Sequence, residues 1–194
     1  MALRIRSHLL LIFIAALAVW PTVASSQSSG GPERFTASAI NPNRAAAGNV
    51  EIAIERWSTD AERDRLMSVM LEKGPEKLLD ALQDAPRKGY FRAPGNLGWD
   101  IHFARRVPLP DGGERIILVT DRRIGFWEAT NRPRSIDYPF TVIELRIDRN
   151  GRGEGKASLA TKIIADEDAK VVTLENYDLQ PVQLTNVRRE SSTH

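Results

Sequence analysis

The sequence predicts a mainly β, β-rich α+β fold, in which an antiparallel sheet carries an α-helical hairpin inserted after the first strands. Three observations lead to this fold class: alternating apolar and polar residues in most segments, one interval of helical spacing, and turn residues between the later segments. We expect about seven or eight strands, arranged as a sandwich or a flattened barrel. Strands and helices do not alternate along the chain, which argues against a parallel α/β architecture.

The first strands are predicted over residues 35–40 and 49–57. The second segment alternates, with Val50, Ile52 and Ile54 on one face and Glu51 and Glu55 on the other, as a half-buried strand requires.

The helical hairpin is predicted over residues 59–86, where the apolar period changes. Residues 59–62 are Thr-Asp-Ala-Glu, the pattern of a capping box, and Gly74-Pro75 separates two helices. The apolar stripe of the two helices consists of Leu66, Met67, Met70, Leu71, Leu78, Leu79 and Leu82. Neither helix is long enough to be stable alone in water, so we expect both to cover a sheet.

From Tyr90 onward the spacing is that of an antiparallel meander. The predicted strands are residues 98–109, 115–121, 138–148, 156–164, 171–177 and 182–188. Alternation in the first of these places Trp99, Ile101, Phe103 and Val107 on one face. The consecutive apolar residues 116–119 predict that the next strand is central and covered on both faces.

The N-terminus has the three parts of a secretory signal peptide. Arg4 and Arg6 precede an apolar run over residues 9–20, and small residues at 23–25 suit a signal peptidase. We therefore expect a cleavable signal peptide (1–25), a flexible leader (26–34), a single β-rich domain (35–190) and a disordered tail (191–194). The alternative is an uncleaved anchor, although a run of about twelve residues is shorter than the about twenty that span a membrane. The expected location is the periplasm or the exterior of a bacterial cell.

Composition excludes several function classes. Without Arg4 and Arg6 the chain has 25 basic and 25 acidic residues, so there is no charge-based case for binding nucleic acid or an anionic membrane. No cysteine is present, so disulfides cannot contribute to stability. With one well-placed histidine, a histidine- or cysteine-rich zinc site is not available, and we predict no metal and no cofactor.

The candidate acid/base pair is Asp100 and His102, two residues apart on one strand face. A polar strand surface produces the same spacing, and no Gly-x-Ser-x-Gly motif accompanies it, so we assign no catalytic residue. Asp148 to Gly153 is similar to the opening of a calcium loop, but Arg152 occupies a ligand position. Gly151, Gly153 and Gly155 precede no helix that would bind a phosphate. These residues predict a hairpin turn.

Two binding sites remain as hypotheses. Residues 105–134 hold seven arginines against four acids, and a long loop there carries arginines and aromatics suited to an anionic ligand or a protein partner. The binding candidates of this loop are Arg122, Arg123, Trp127, Arg132, Arg134 and Tyr138. The alternative is a cavity between hairpin and sheet, lined by Leu66, Met70, Leu79, Trp99 and Phe103.

The sequence therefore favours a secreted or periplasmic, non-catalytic interaction module with an envelope protein as its partner. The first alternative is a carrier of a small apolar or amphiphilic ligand in the sheet–helix cavity, and the second is an envelope hydrolase.

Overall fold

The computed structural model describes residues 30–42, 46–93, 98–122, 139–166, 171–176 and 180–191. The elements in chain order are β1 (Glu33–Asn41), β2 (Ala46–Ile54), α1 (Asp60–Lys73), α2 (Pro75–Gln83), β3 (Gly89–Arg92), β4 (Trp99–Pro108), β5 (Glu114–Thr120), β6 (Phe140–Ile147), β7 (Arg152–Asp166), β8 (Val171–Asn176) and β9 (Val182–Arg189). β1 therefore begins at Glu33, within the range that was predicted for the leader.

Eight strands close into an antiparallel, barrel-like sheet in the order β6-β5-β4-β3-β2-β1-β9-β7, and β7 pairs again with β6. Closure depends on the length of β7. Its first half lies between β6 and β9, while its second half, from Thr161, pairs with β8 outside the ring. The antiparallel, mainly β fold with a helical hairpin is confirmed, and the sheet is closed.

The interior of the barrel is filled by apolar side chains from alternate strand positions. Phe35, Ile52, Leu118 and Leu145 are completely buried there. The predicted apolar face of β2 (Val50, Ile52 and Ile54) is confirmed and points inward, and Ile143, Leu145 and Ile147 of β6 belong to the same core. Because the interior is filled by this core, the helices pack on the outer face of the sheet.

The alternation predicted for β4 is wrong after Ile101. The register between β4 and β5 shifts between Ile101 and Phe103, as a β-bulge produces. Ile101 and Ala104 consequently belong to the barrel core, while Phe103 packs outside, against the cluster beneath the helices. The same shift sets Arg106, rather than Arg105, opposite the inward Ile116, so Arg106 faces the interior in place of Val107.

The helical hairpin lies on the outer face of the sheet, over β4 to β7. Thr59 and Glu62 form the predicted capping box, and Gly74, with a φ of 84°, joins the two helices. Leu78 and Leu82 are buried, but Leu71 is 39% exposed. The predicted stripe is therefore wrong at Leu71, because the contact face of α1 runs through positions 63, 66, 67 and 70 at helical spacing.

Four charged side chains form an inward layer at the end of the barrel where β1 begins: Glu33, Arg106, Glu114 and Arg189. Arg106 donates to Glu33, and its guanidinium lies 3.9 Å from the centroid of the Trp57 ring. A Cβ atom at Gly30 would lie 2.5 Å from the same guanidinium, so the chain that precedes β1 covers this layer.

Candidate functional site

A groove of about 400 Å³ lies between the helical hairpin and the outer face of the sheet. We call it the hairpin groove. It is lined by Arg63, Leu66, Met67, Met70, Leu78, Leu82, Phe103, Arg105, Arg115, Ile117, Val119, Val142, Glu144 and Ile163. Its volume falls in the range of roughly 300–1,000 Å³ that is typical of small-molecule sites.

The helical wall of the groove follows from the spacing of α1 and α2. Leu66, Met67 and Met70 stand one turn apart or side by side on α1, and Leu78 and Leu82 do the same on α2. Leu66 and Met67 are half-buried, so they present apolar surface to the groove and are not sealed into a core.

The floor of the groove is the outer face of β4, β5 and β6, and its polarity changes along the strands. Phe103, Val119 and Val142 face one another across the three strands and form an apolar layer. Two residues further along, Arg105, Ile117 and Glu144 form a mixed layer. The next layer consists of Val107, Arg115 and Arg146, so two arginines lie side by side on β5 and β6.

Three arginines, Arg63, Arg105 and Arg115, line the groove beside this apolar surface; we call them the basic rim. Arg105 lies 2.9 Å from Oδ1 of Asp60, and Arg63 lies 3.2 Å from the same atom. The groove therefore joins apolar walls to guanidinium groups, a combination suited to an amphiphile with an anionic head.

The structure brings together three of the five residues predicted to line a cavity. Leu66, Met70 and Phe103 line the groove, and Leu79 packs against the same apolar cluster. Trp99 lies elsewhere, because it packs against the barrel core with its ring centroid 6.1 Å from that of Phe91.

Sequence reasoning did not identify Arg63, Arg105, Arg115, Ile117 and Val142 as groove residues. The run of apolar residues 116–119 carried a usable signal, because it predicted cover on both faces of β5. Arg105 and Arg115 belong to the arginine-rich region 105–134, whereas Arg63 carried no signal, since a charged side chain on a helix is normally solvated.

The interior of the barrel offers no comparable site among the described residues. Its center is filled by the buried side chains of the core cluster, several of them completely inaccessible. The hairpin groove lies outside this core, on the outer face of the sheet.

His102 is held between the end of the helical hairpin and β5. Its Nδ1–H donates to the carbonyl oxygen of Ala85 at 2.8 Å, and its Nε2 lies 3.8 Å from Oδ1 of Asp121. Asp100, the partner predicted from the sequence, instead lies 2.9 Å from Nε of Arg87. The carboxylate that faces the imidazole is that of Asp121, and the imidazole ties the hairpin to the sheet.

The arginine and aromatic loop lies almost entirely outside the described residues. Arg122 is exposed and lies 3.1 Å from Asp121. Arg123, Trp127, Arg132, Arg134 and Tyr138 lie outside the described residues, so this hypothesis stays a prediction.

The turn before β7 uses Asp148 as a backbone cap. Its Oδ1 accepts hydrogen bonds from the backbone N–H groups of Asn150 and Arg152 at 2.8 and 2.9 Å. The bond from Arg152 is the main cause that holds the pKa of Asp148 below its ordinary value.

The described ranges contain no group of three or more side chains placed to hold a metal ion.

Gly153 and Gly155 allow β7 to approach β6. A Cβ atom at Gly153 would lie 1.8 Å from the carbonyl oxygen of Arg146, and one at Gly155 would lie 2.5 Å from that of Glu144. The glycine series of this segment therefore serves the closure of the sheet.

Neither described helix has the length and apolar composition needed to cross a bilayer. Comparison of the chain with protein-family models, with curated proteins and with solved structures found no match.

Proposed function

We propose that this is an exported, non-catalytic binding protein that holds the hydrocarbon chain of a small apolar or amphiphilic ligand in the hairpin groove. The observation that carries the proposal is the apolar surface formed by the groove side of the hairpin, the Phe103 layer and Ile117, which stays half-exposed at Leu66, Met67 and Ile117. Burial of such surface by a ligand is favourable by about 25 cal/mol per Å².

The two methionines of α1 support an adaptable site. Met67 and Met70 both line the groove, and the thioether side chain adjusts easily to ligands of different shape. The hairpin is also tied to the sheet at its ends, through Arg105 to Asp60 and through His102 to Ala85, which leaves the groove between these ties.

Met67 and Met70 provide a direct test, because they are two of only three methionines in the chain and the third is Met1. The purified protein is labelled with ¹³C at the methionine methyl groups and titrated with 1-dodecanol or dodecanoate below their aggregation concentrations. Saturable shifts of both groove methyl signals are expected. Unchanged signals with both ligands would overturn the proposal.

A pair of variants on one helix identifies the site. Leu66→Trp fills the groove and is expected to abolish the shifts, whereas Leu71→Trp, on the exposed side of α1, is expected to leave them unchanged. Ile117→Trp fills the groove from the sheet and replaces Leu66→Trp if that variant does not fold. Equal binding by the filled and control variants would place the ligand elsewhere and contradict the proposal.

A further inference from the structure

We infer that the ligand of the hairpin groove is a single-chain amphiphile with a carboxylate head, and that Arg115 binds this head. The inference rests on the proposed function and specifies the chemical class of the ligand. Three observations carry it: the polarity gradient of the groove floor, the pairing of the other rim charges, and the position of Arg115 at the charged end.

The change of polarity along the groove floor determines which way the ligand lies. The apolar layer at Phe103, Val119 and Val142 and the charged layer at Arg115 are four residues apart on β5. A strand rises about 3.3 Å per residue, so the two layers are about 13 Å apart. A hydrocarbon chain lying along the floor from the apolar layer would place its head beside Arg115.

The other charged groups of the groove already have partners. Arg63 and Arg105 share the carboxylate of Asp60, and Nζ of Lys156 lies 3.6 Å from Oε2 of Glu144. Arg146, across the β5–β6 pair from Arg115, lies 3.4 Å from Asp111.

Arg115 differs from these groups. It is exposed, lines the groove and has no ion pair or side-chain hydrogen bond with any residue that the structure describes. Its neighbour in register is the like-charged Arg146. An incoming anion therefore meets a guanidinium that no described carboxylate has neutralised.

The chemistry of the guanidinium favours a carboxylate. Its N–H groups match the two oxygens of a carboxylate in a bidentate arrangement, which adds both strength and orientation. A neutral alcohol head of the same chain length gains no such charge-assisted pair.

The test compares three ligands that have different head groups and the same hydrocarbon chain length. Dissociation constants of dodecanoate, 1-dodecanol and dodecyltrimethylammonium are measured from the Met67 and Met70 methyl signals. Dodecanoate is expected to bind about tenfold more tightly than 1-dodecanol, as a charge-assisted hydrogen bond implies, and the ammonium more weakly than either. Equal affinity for dodecanoate and 1-dodecanol would overturn the head-group inference while leaving the groove as a binding site. Absence of shifts with all three would instead overturn the proposed function.

The matched variants are Arg115→Gln and Arg188→Gln, which make the same change of charge. Arg188 is exposed on β9, a strand that does not line the groove. Arg115→Gln is expected to weaken dodecanoate about tenfold and to leave 1-dodecanol unchanged, while Arg188→Gln changes neither. If Arg115→Gln weakens the binding of dodecanoate and 1-dodecanol equally, Arg115 does not bind the head. The same conclusion follows if Arg188→Gln weakens dodecanoate binding as much as Arg115→Gln does.

Discussion

Lys88 and Glu62 form an ion pair that fastens the first turn of α1 to the start of β3. The side chain of Lys88 is 2% exposed and that of Glu62 is 34% exposed. The second oxygen of Glu62 accepts the backbone N–H of Thr59 at 2.8 Å, so one carboxylate serves both the capping box and the ion pair.

The Glu62→Gln variant is expected to lower the free energy of unfolding by about 2 kcal/mol, because it leaves the Lys88 ammonium buried without a charged partner. This value lies below the about 3–5 kcal/mol of fully buried pairs, since Glu62 is partly exposed. Glutamine retains an oxygen for the capping box, so the variant isolates the ion pair. Urea denaturation measures the difference.

The control for this variant is Glu76→Gln, an exposed residue in the first turn of α2. Its expected effect is within about 0.5 kcal/mol. Equal destabilisation by the two variants would show that the pair with Lys88 does not stabilise the fold.

Stability is expected to fall in acid through Glu62, Asp111 and Asp148. Burial raises the pKa of Glu62, but hydrogen bonds from Lys88 and Thr59 outweigh it and hold the pKa below its ordinary 4.5. The pKa of Asp111 is held below its ordinary 3.8 mainly by a hydrogen bond from the backbone N–H of Gly113. The pKa of Asp148 is likewise held below 3.8 mainly by a hydrogen bond from the backbone N–H of Arg152. A folded-state pKa below the unfolded one means that stability is present above the unfolded value and is lost as pH falls through the folded value.

Urea midpoints at several pH values between 7 and about 3 measure this loss. Asp148→Asn keeps an oxygen for the backbone bonds but cannot titrate, so its midpoint is expected to decline less steeply than that of the parent. Parallel curves for the two proteins would contradict the assignment of Asp148 to the acid loss.

Gly153→Ala is expected to destabilise the fold by about 3 kcal/mol, at the upper end of the overpacking range. The added methyl group would collide with the carbonyl oxygen of Arg146, a backbone atom that cannot move without separating β6 from β7. Gly48→Ala is the control, because a Cβ at Gly48 meets nothing within 4 Å. Thermal unfolding compares the two, and similar melting temperatures would show that the approach of β7 to β6 is not tight.

The charged layer at the end of the barrel is expected to behave as one unit. Arg106→Gln and Glu33→Gln each leave the layer with an unbalanced charge, whereas the double variant leaves Arg189 paired with Glu114. The double variant is therefore expected to be about 1–3 kcal/mol more stable than the sum of the single effects predicts. A double-mutant cycle measures the coupling.

The exposed pair Lys77–Asp80 provides the reference cycle. Its coupling is expected to be several times smaller, because solvent screens the two charges. Additive effects in both cycles would mean that the layer does not act cooperatively.

Local patterns were sufficient to predict most of the elements. The capping box at Thr59 and Glu62 marks the start of α1, Gly74 and Pro75 separate the helices, and the alternation in β2 identifies the face that helps to fill the barrel. These features depend on residues within a few positions of one another, so their signals are contained in short segments.

The position of Phe103 was not predictable from alternation. One bulge reverses every later face of β4, so Phe103 moves to the groove and Arg106 moves to the charged layer. Leu71 similarly leaves the stripe because packing selects among adjacent apolar positions on the helix.

By itself, the sequence determined the fold class, the hairpin and the exclusion of disulfide and cysteine-metal chemistry, because composition and local period are sufficient for these. Only the tertiary structure decided that the sheet closes, that Asp121 rather than Asp100 faces His102, and that Arg115 borders an apolar groove. Closure and the groove depend on contacts between residues far apart in the chain. Such contacts are set by strand register and packing, which no short segment encodes.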